Sequence, residues 1–462
     1  MRLQQVFTSY RPTKPPPGPG TFPHGVHPPE RKDFSLDAPI EVVPPPKTLK
    51  LPLLQHVGQP CTPLVKPKQQ VAFGDMIARG EAFISASLHA PLNGVIGKTA
   101  MTTLPNGRHV ETIVLNSEGE QITGQALWDD IFGGEWPKKQ YQAIEPQMVS
   151  DAIHAAGIVG LGGAAFPTHV KILPSEKKPI HTLIVNGCEC EPYLTTDYRM
   201  MVEIPDAIVS GALLAARAVG ASRTFIGVES NKLEAVEALR LAAAGAGIQI
   251  AVLKTKYPQG SEKHLIKGIL NREVPLGGLP ADVGVTMTNV ATVAAVARAV
   301  VRRKPLTHRV ISVTGGGIVK PKNLLVPIGI SMADIIEYCG GLKKTAARIV
   351  AGGPMMGFAV SSLDRPITKG TSGITVLSHE EIKKETETVC VRCGRCVDAC
   401  PMNLVPTKLA MASRLKDLNL ARQYSIMACF ECGSCAYVCP AALPLVQLIR
   451  SGKAMVAREG KK

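Results

Sequence analysis

Apolar positions change rhythm several times along this chain, and each change marks a different kind of module. From 51 to 135, short apolar runs alternate with Gly and Asn turns, as in "VAFGDMIARGEAFISASLHAPLNGVIG". Brief strands punctuated by turn formers predict a small all-β module. From 136 to 305 the pattern shifts. The strand-like runs "HTLIVN", "RTFIGVE" and "IQIAVLK" alternate with helical stretches at 205–219, 231–245 and 290–302. That is the signature of an α/β domain with a mainly parallel sheet. Short strands with Gly turns return over 306–378 ("RVISVTGGGI", "LLVPIGIS", "ARIVAGGPMMG"), and 379–462 read as helices around cysteine runs, entered through the charged "SHEEIKKETET". Ahead of all these, residues 1–50 are rich in Pro and Gly and predict an irregular arm, with "HGVHPPERK" (24–32) as its distinctive piece.

Composition narrows the class. At 462 residues the chain is too long for one ordinary domain, and 45% hydrophobic against 19% charged residues lets most of it fold around cores. The net charge of +15 raises nucleic acid as a partner, but the Lys and Arg are dispersed and no binding motif accompanies them. We expect no nucleic acid; acidic protein partners or an anionic membrane surface account for the charge equally well. No stretch has the length and purity of a transmembrane helix: "AIVSGALLAARAVGA" carries Arg217, and "VATVAAVARAVVRRKP" carries Arg298, Arg302, Arg303 and Lys304. The opening "MRLQQVFTSYRPTKPPPGPG" lacks an apolar signal core. A cytosolic protein is therefore expected, in which closely spaced cysteines are metal or redox ligands and not disulfides.

Eight of the 12 cysteines stand in "CVRCGRCVDACP" (390–401) and "CFECGSCAYVCP" (429–440). Both read C-x2-C-x2-C-x3-C-P, the bacterial ferredoxin spacing for [4Fe–4S] clusters. Three thiolates wrap one cluster, and the Pro-flanked fourth reaches the other. One cluster then takes Cys390, Cys393, Cys396 and Cys439; the second takes Cys429, Cys432, Cys435 and Cys400. Zinc sites instead pair two ligands, a long gap and two more. Cys61 and Cys339 read as isolated buried residues, and Cys188 and Cys190 as lining a pocket. His24, His27 and His89 form no ligand pattern, and no Ser-His-Asp or Cys-His arrangement is legible.

"GIVGLGGAAFPTHVK" (157–171) fits a dinucleotide fingerprint loosely through Gly160, Gly162 and Ala165, but it follows a helix-like run where the fingerprint must follow a strand. Taken alone it is a tight turn. In "LIVNGCECEPYLTTDYRMM", Asn186, Glu189 and Glu191 fall at the carboxyl end of a strand, where open α/β sheets place ligands.

The blocks G-L-G-G-A-A-F-P-T-x-x-K, V-N-G-C-E-C-E-P, G-S-E (260–262) and T-N-V-A-T (288–292) resemble, in order, the flavoprotein subunit of respiratory complex I. With the ferredoxin-type runs behind and "HGVHPPERK" ahead, the chain resembles more closely the C-subunit family of Rnf ion-translocating oxidoreductases. The resemblance implies an α/β flavin/NADH domain, flanked by a barrel-sandwich-like and a β-grasp-like β module, with a helical bis-[4Fe–4S] ferredoxin-like domain behind. It also implies non-covalent FMN, NADH as substrate and two [4Fe–4S] clusters. Carried over by position, Gly160, Gly162, Gly163, Lys171, Asn186, Glu189, Asn289 and Thr292 are expected at FMN, and Phe166 and Glu262 at NADH. Two departures stand out: Leu161 where complex I has Arg, and Cys188-Glu189-Cys190 where it has Asp-Glu-Gly. The β module at 51–135 resembles a lipoyl carrier but has "SASLHA" where a carrier presents Lys, so it is expected to stay unmodified. The implied role is electron input to a membrane complex at the cytoplasmic face of the bacterial inner membrane, coupled to Na⁺ or H⁺, with ferredoxin or flavodoxin as the complex's electron partner. The rival reading is a flavin-free iron–sulfur adaptor that docks a soluble carrier.

Overall fold

The computed structural model describes residues 18–138, 140–173, 178–383 and 385–459. The front of the Pro/Gly-rich arm, with the expectation drawn from its first residues, lies outside the described residues.

Four parallel strands, in the order Ile248–Leu253, Arg223–Glu229, Thr182–Asn186 and Val285–Asn289, form the sheet of the α/β domain. Helices Pro205–Val219 and Val290–Arg302 cover one face. Their limits follow from local chemistry. The first opens with Pro at its first turn and Asp206 beside it, and stops at Gly220 in the left-handed region. The second is capped by Asn289, whose side chain accepts from the amide of Ala291. The two cross so closely that a Cβ on Gly211 would lie 1.7 Å from the Val293 carbonyl oxygen. Helix Glu262–Leu270 seals the other face, burying Leu265, Ile266 and Ile269 against Ile184, Phe225 and Met287.

A mixed six-stranded sheet runs Ile40–Val42, Lys322–Pro327, His308–Thr314, Gly373–Ser378, Ala346–Ala351, Phe358–Ala359. Its first strand corrects the expectation of an irregular arm throughout 1–50: residues 40–42 pair in parallel with 323–325. A three-residue edge strand is too short to show a period, and its partner is far downstream. The sheet also carries helix Met332–Tyr338, absent from the pattern reading although Ser331 caps it by accepting from the amide of Asp334 at 3.0 Å. The barrel-sandwich module combines a five-stranded and a three-stranded sheet around Leu49, Leu51, Ile77, Leu88 and Leu115. Helices Pro406–Leu415, Leu418–Gln423 and Leu445–Glu459 form the C-terminal domain. Among the described residues no helix is long and apolar enough to cross a membrane.

"SASLHA" (85–90) is buried along its whole length, so the segment that a carrier would expose is packed away. Lys369 explains part of this. Its side chain is 1% exposed, and Nζ donates to the carbonyls of Ser87 (2.6 Å) and Gly157 (2.7 Å), joining three modules. Burial lowers its ammonium to about 8, and a neutral amine still has two N–H groups for the two carbonyls. At Lys369 the unfolded chain therefore holds a proton between pH 8 and 10.5 that the folded chain has released, and this residue's contribution to stability rises with pH across that window. The rise is about 3 kcal/mol at 1.36 kcal/mol per unit. Lys369→Met should be less stable at every pH, because two buried carbonyls are orphaned, but should lose this slope; urea midpoints at pH 8 and pH 10 measure both. The buried tip leads to a further expectation: the intact mass should carry no lipoate or biotin, and a covalent adduct of either kind would refute it.

Candidate functional site

The sheet reverses its order between Thr182–Asn186 and Val285–Asn289. Successive strands step one way from 182–186 to 248–253, and then the chain crosses back to the other side of the starting strand. Crevices at the carboxyl ends of strands beside such a reversal are where open α/β sheets bind ligands. Here the register sets Asn186 directly opposite Asn289 at that end.

The glycine loop lies over this crevice. Thr292 Oγ1 accepts from the amide of Leu161 at 2.9 Å, and the amide of Gly160 donates to the Phe166 carbonyl at 2.8 Å, closing the loop on itself. A Cβ on Gly162 would come to 3.2 Å from that of Asn289. Gly163 has φ +121°, yet nothing stands within 4 Å of where its Cβ would be. Backbone conformation demands this glycine, and open space remains above it. Gly162, Gly163 and Ala164 are exposed, and among the described residues their amides donate no hydrogen bond. Such free amides suit an anion. Below the loop the buried Arg309 guanidinium donates to the carbonyls of Leu161 (3.3 Å) and Lys369. Burial lowers it to about 10, opposed by the charge of Asp197. The short helix Thr168–Lys171 ends in Lys171, which forms an ion pair with Glu262, so the structure joins one residue expected at FMN to one expected at NADH. Phe166 lies half-buried beside the loop.

The acidic loop is tied down on every side. Asn186 accepts from the amide of Cys188 (2.9 Å) and donates to the Gly260 carbonyl (2.7 Å), which fastens it to the segment leading to Glu262. Glu189, also buried, accepts from the amides of Asp197 (2.9 Å) and Tyr198 (3.3 Å) at the start of helix Thr196–Glu203. Asn289 donates to Asp197 at 2.7 Å. Burial, with the nearby Glu189 charge, pushes the Asp197 carboxyl up to about 7. Glu191 accepts from the amides of Met355 (3.2 Å) and Met356 (2.8 Å) in the six-stranded module, and burial raises its carboxyl to about 7. The buried Lys32 donates to the carbonyls of Glu191 (3.0 Å) and Leu194 (2.5 Å), and burial lowers its ammonium. Several expected residues thus have internal duties. Thr292 is 1% exposed and supports the loop from beneath, and the amide of Asn289 is engaged on both sides. Asp197, Lys32 and Arg309 escaped the sequence reading. All three lie in quoted stretches, Lys32 in "HGVHPPERK", Asp197 in "LIVNGCECEPYLTTDYRMM" and Arg309 in "RVISVTGGGI", with nothing local to single them out.

In the C-terminal domain, Cys400, Cys429, Cys432 and Cys435 line one small cavity. Charge on Cys400 acts on the other three thiols, while Cys396 responds to Cys393 and Cys439. The spacing expects these same partners for seven of the cysteines and adds Cys390 to the second set. The loops are built alike: Arg392 and Glu431 precede the second cysteine of each run with positive φ, and Gly394 and Gly433 follow it. Amides of Leu404 and Glu431 point at Cys400 Sγ and Cys429 Sγ, both at 3.4 Å, as donors to cluster thiolates do. Cys390 and Cys393 are exposed. The cavity set packs toward the flavin domain, where Cys432 clusters with Tyr257 and Cys190 packs against that cluster, and toward the six-stranded module, where a Cβ on Gly433 would strike the Met355 carbonyl at 2.7 Å. Four thiolates around one space fit an iron–sulfur cluster, and exposed loop amides over a switch-point crevice fit a phosphate-bearing flavin.

Comparison with known proteins gives the same layout. Residues 20–120 match the RnfC barrel sandwich hybrid domain, 153–298 the Nuo51 FMN-binding domain, 310–359 the SLBB domain and 389–443 the 4Fe-4S dicluster domain. The chain is 43% identical to the C-subunit of the proton-translocating ferredoxin:NAD(+) oxidoreductase complex of Clostridium ljungdahlii, over 93% of each. It is 40% identical to the C-subunit of the ion-translocating oxidoreductase complex of Rhodobacter capsulatus, over 100% of this chain and 88% of that one. It is 39% identical to the C-subunit of the Na(+)-translocating ferredoxin:NAD(+) oxidoreductase complex of Acetobacterium woodii, over 96% and 98%. Among solved structures, an NAD+-reducing [NiFe]-hydrogenase in its H2-reduced state shares the fold, with a TM-score of 0.50 and 20% identity over 69% of this chain and 64% of that one.

Proposed function

Because the chain belongs to the C-subunit family of Rnf ion-translocating oxidoreductase complexes, we propose that it is the electron-input subunit of such a complex, passing electrons between NADH and two [4Fe–4S] clusters by way of FMN. The observation that carries this reading is the packing of a four-cysteine cavity directly against the domain whose switch-point crevice holds the glycine loop. A bound FMN supplies the conversion between two-electron hydride chemistry and the single-electron chemistry of clusters.

The chain's own residues supply position and electrostatics. The free amides of Gly162, Gly163 and Ala164 receive the flavin phosphate, with Lys171 adding charge. Asn186, Glu189, Asn289 and Thr292 hold the crevice's shape, and Arg309 braces it from below. Phe166 and Glu262 face the nicotinamide nucleotide. The buried acidic loop, locked by Glu191 and Lys32, keeps water from the inner side. Cys400, Cys429, Cys432 and Cys435 would hold the cluster that adjoins the flavin domain, and a cluster there would supply a one-electron site beside the flavin. Cys390, Cys393, Cys396 and Cys439 would hold a second one-electron site, and the exposure of Cys390 and Cys393 would leave it open to an outside partner.

The chain works beside the other subunits of a membrane-embedded complex, at the cytoplasmic face of the inner membrane. There the complex exchanges electrons with ferredoxin or flavodoxin and moves Na⁺ or H⁺. Anaerobically purified chain should hold about eight irons and about one FMN per polypeptide, the content of two [4Fe–4S] clusters and one flavin site. Eight irons without flavin would favour the adaptor reading.

A further inference from the structure

Where the flavin domain meets the cysteine cavity, residues 257–264 supply two side-chain hydrogen bonds. Tyr257 is 2% exposed, and its hydroxyl donates to the Cys432 carbonyl at 2.6 Å. Its ring packs with Val26, Ala399 and Cys432. Seven residues on, the ring of His264 donates through Nε2 to the carbonyl of Pro401 (3.0 Å), next to Cys400. Ser261 Oγ stands 2.9 Å from the other ring nitrogen, and Phe22 and Phe430 pack on its ring. Glu262 lies within the same segment. Among the described residues, the side chains of 257–264 make no hydrogen bond to Cys390, Cys393, Cys396 or Cys439.

A hydroxyl that donates to the carbonyl of a ligating residue does two things. It fixes the loop carrying the thiolate, and it directs the positive end of an O–H dipole at the backbone of the ligating residue. In a buried setting that dipole is poorly screened, and it stabilises the added negative charge of the reduced cluster. From this geometry we infer that Tyr257 is a positioning residue that raises the reduction potential of the cluster held by Cys400, Cys429, Cys432 and Cys435, and of that cluster alone. The inference rests on the proposal that these cysteines hold a cluster.

The test is Tyr257→Phe, which keeps the packed ring and removes the hydroxyl. Iron and flavin are assayed first, and both midpoint potentials are then read by EPR-monitored redox titration beside the wild type. Two signals and a full iron content in the wild type establish the clusters separately from Tyr257. Absence of the affected signal from Cys400→Ser identifies which cluster moves. In Tyr257→Phe both clusters should remain. The ratio of reduced to oxidised cluster at fixed poise should fall up to about tenfold at one site, which is about 59 mV for a one-electron couple. The other midpoint should stay where it is. Unmoved midpoints with full iron, a shift at the other cluster, or loss of iron from the loop would each overturn the inference; the last would make the hydroxyl purely structural.

Discussion

Cys400→Ser is expected to abolish the cluster that Cys429, Cys432 and Cys435 share and to leave its neighbour intact. The prediction runs against sequence proximity, because Cys400 stands in the same run as Cys390, Cys393 and Cys396. Two observations separate it from them. Cys400 lines the cavity of the other three cysteines, and its charge acts on their thiols. The Pro after it turns the chain toward helix Pro406–Leu415, which packs on helix Leu445–Glu459 and brings the two runs face to face. Loss of a ligand should cost more than the roughly 10- to 100-fold that changes beyond the ligands cost at metal sites. EPR of the dithionite-reduced variant should show one [4Fe–4S] signal where the wild type shows two. NADH should still reduce the flavin, while electrons should no longer reach an external one-electron acceptor. Loss of the signal belonging to Cys390, Cys393 and Cys396 would reverse the assignment.

How much was legible follows the same logic of near and far. The cysteine spacing is a local pattern, and the proposed ligand sets rest on it without help from the rest of the fold. The helices over 205–219 and 290–302 were legible because apolar period, Pro, Gly and Asn caps agree there. Neither the glycine loop nor the acidic loop was strong by itself, and a family resemblance had to link them; the switch point explains why they meet. What stayed hidden is contact between remote segments. Glu191 is held by Met355 and Met356, Arg309 lies under Leu161, Lys369 bonds to Ser87 and Gly157, and Tyr257 bonds to Cys432. In each case the residue type fits several surroundings, and only the fold supplies the partner.

Glu262→Gln is expected to weaken NADH binding about 10- to 150-fold. Glu262 opens helix Glu262–Leu270 and pairs with Lys171, both side chains partly exposed. A partly exposed pair contributes about 0.2–1 kcal/mol to stability, and a carboxylate at a helix start about 0.3–1 kcal/mol. If those were its only duties, the substitution would lower the urea midpoint slightly and leave kinetics alone. A carboxylate that hydrogen-bonds the nucleotide in a water-poor crevice contributes more, roughly 1.5–3 kcal/mol. At 1.4 kcal/mol per tenfold, that gives the stated range. FMN content and both clusters should be retained. Stopped-flow reduction of the flavin at graded NADH separates affinity from rate. An unchanged apparent affinity would assign Glu262 to the helix end.

In the proposed function one chain accepts electrons from NADH at a flavin and hands them to its own clusters. Anaerobic absorbance of the purified chain, before and after NADH, tests this most directly. The expected spectrum has flavin bands over a broad iron–sulfur background, bleaching of the flavin bands on adding NADH, and a following loss of the broad absorbance as the clusters fill. A spectrum with only the broad background, or flavin bands indifferent to NADH, would contradict it.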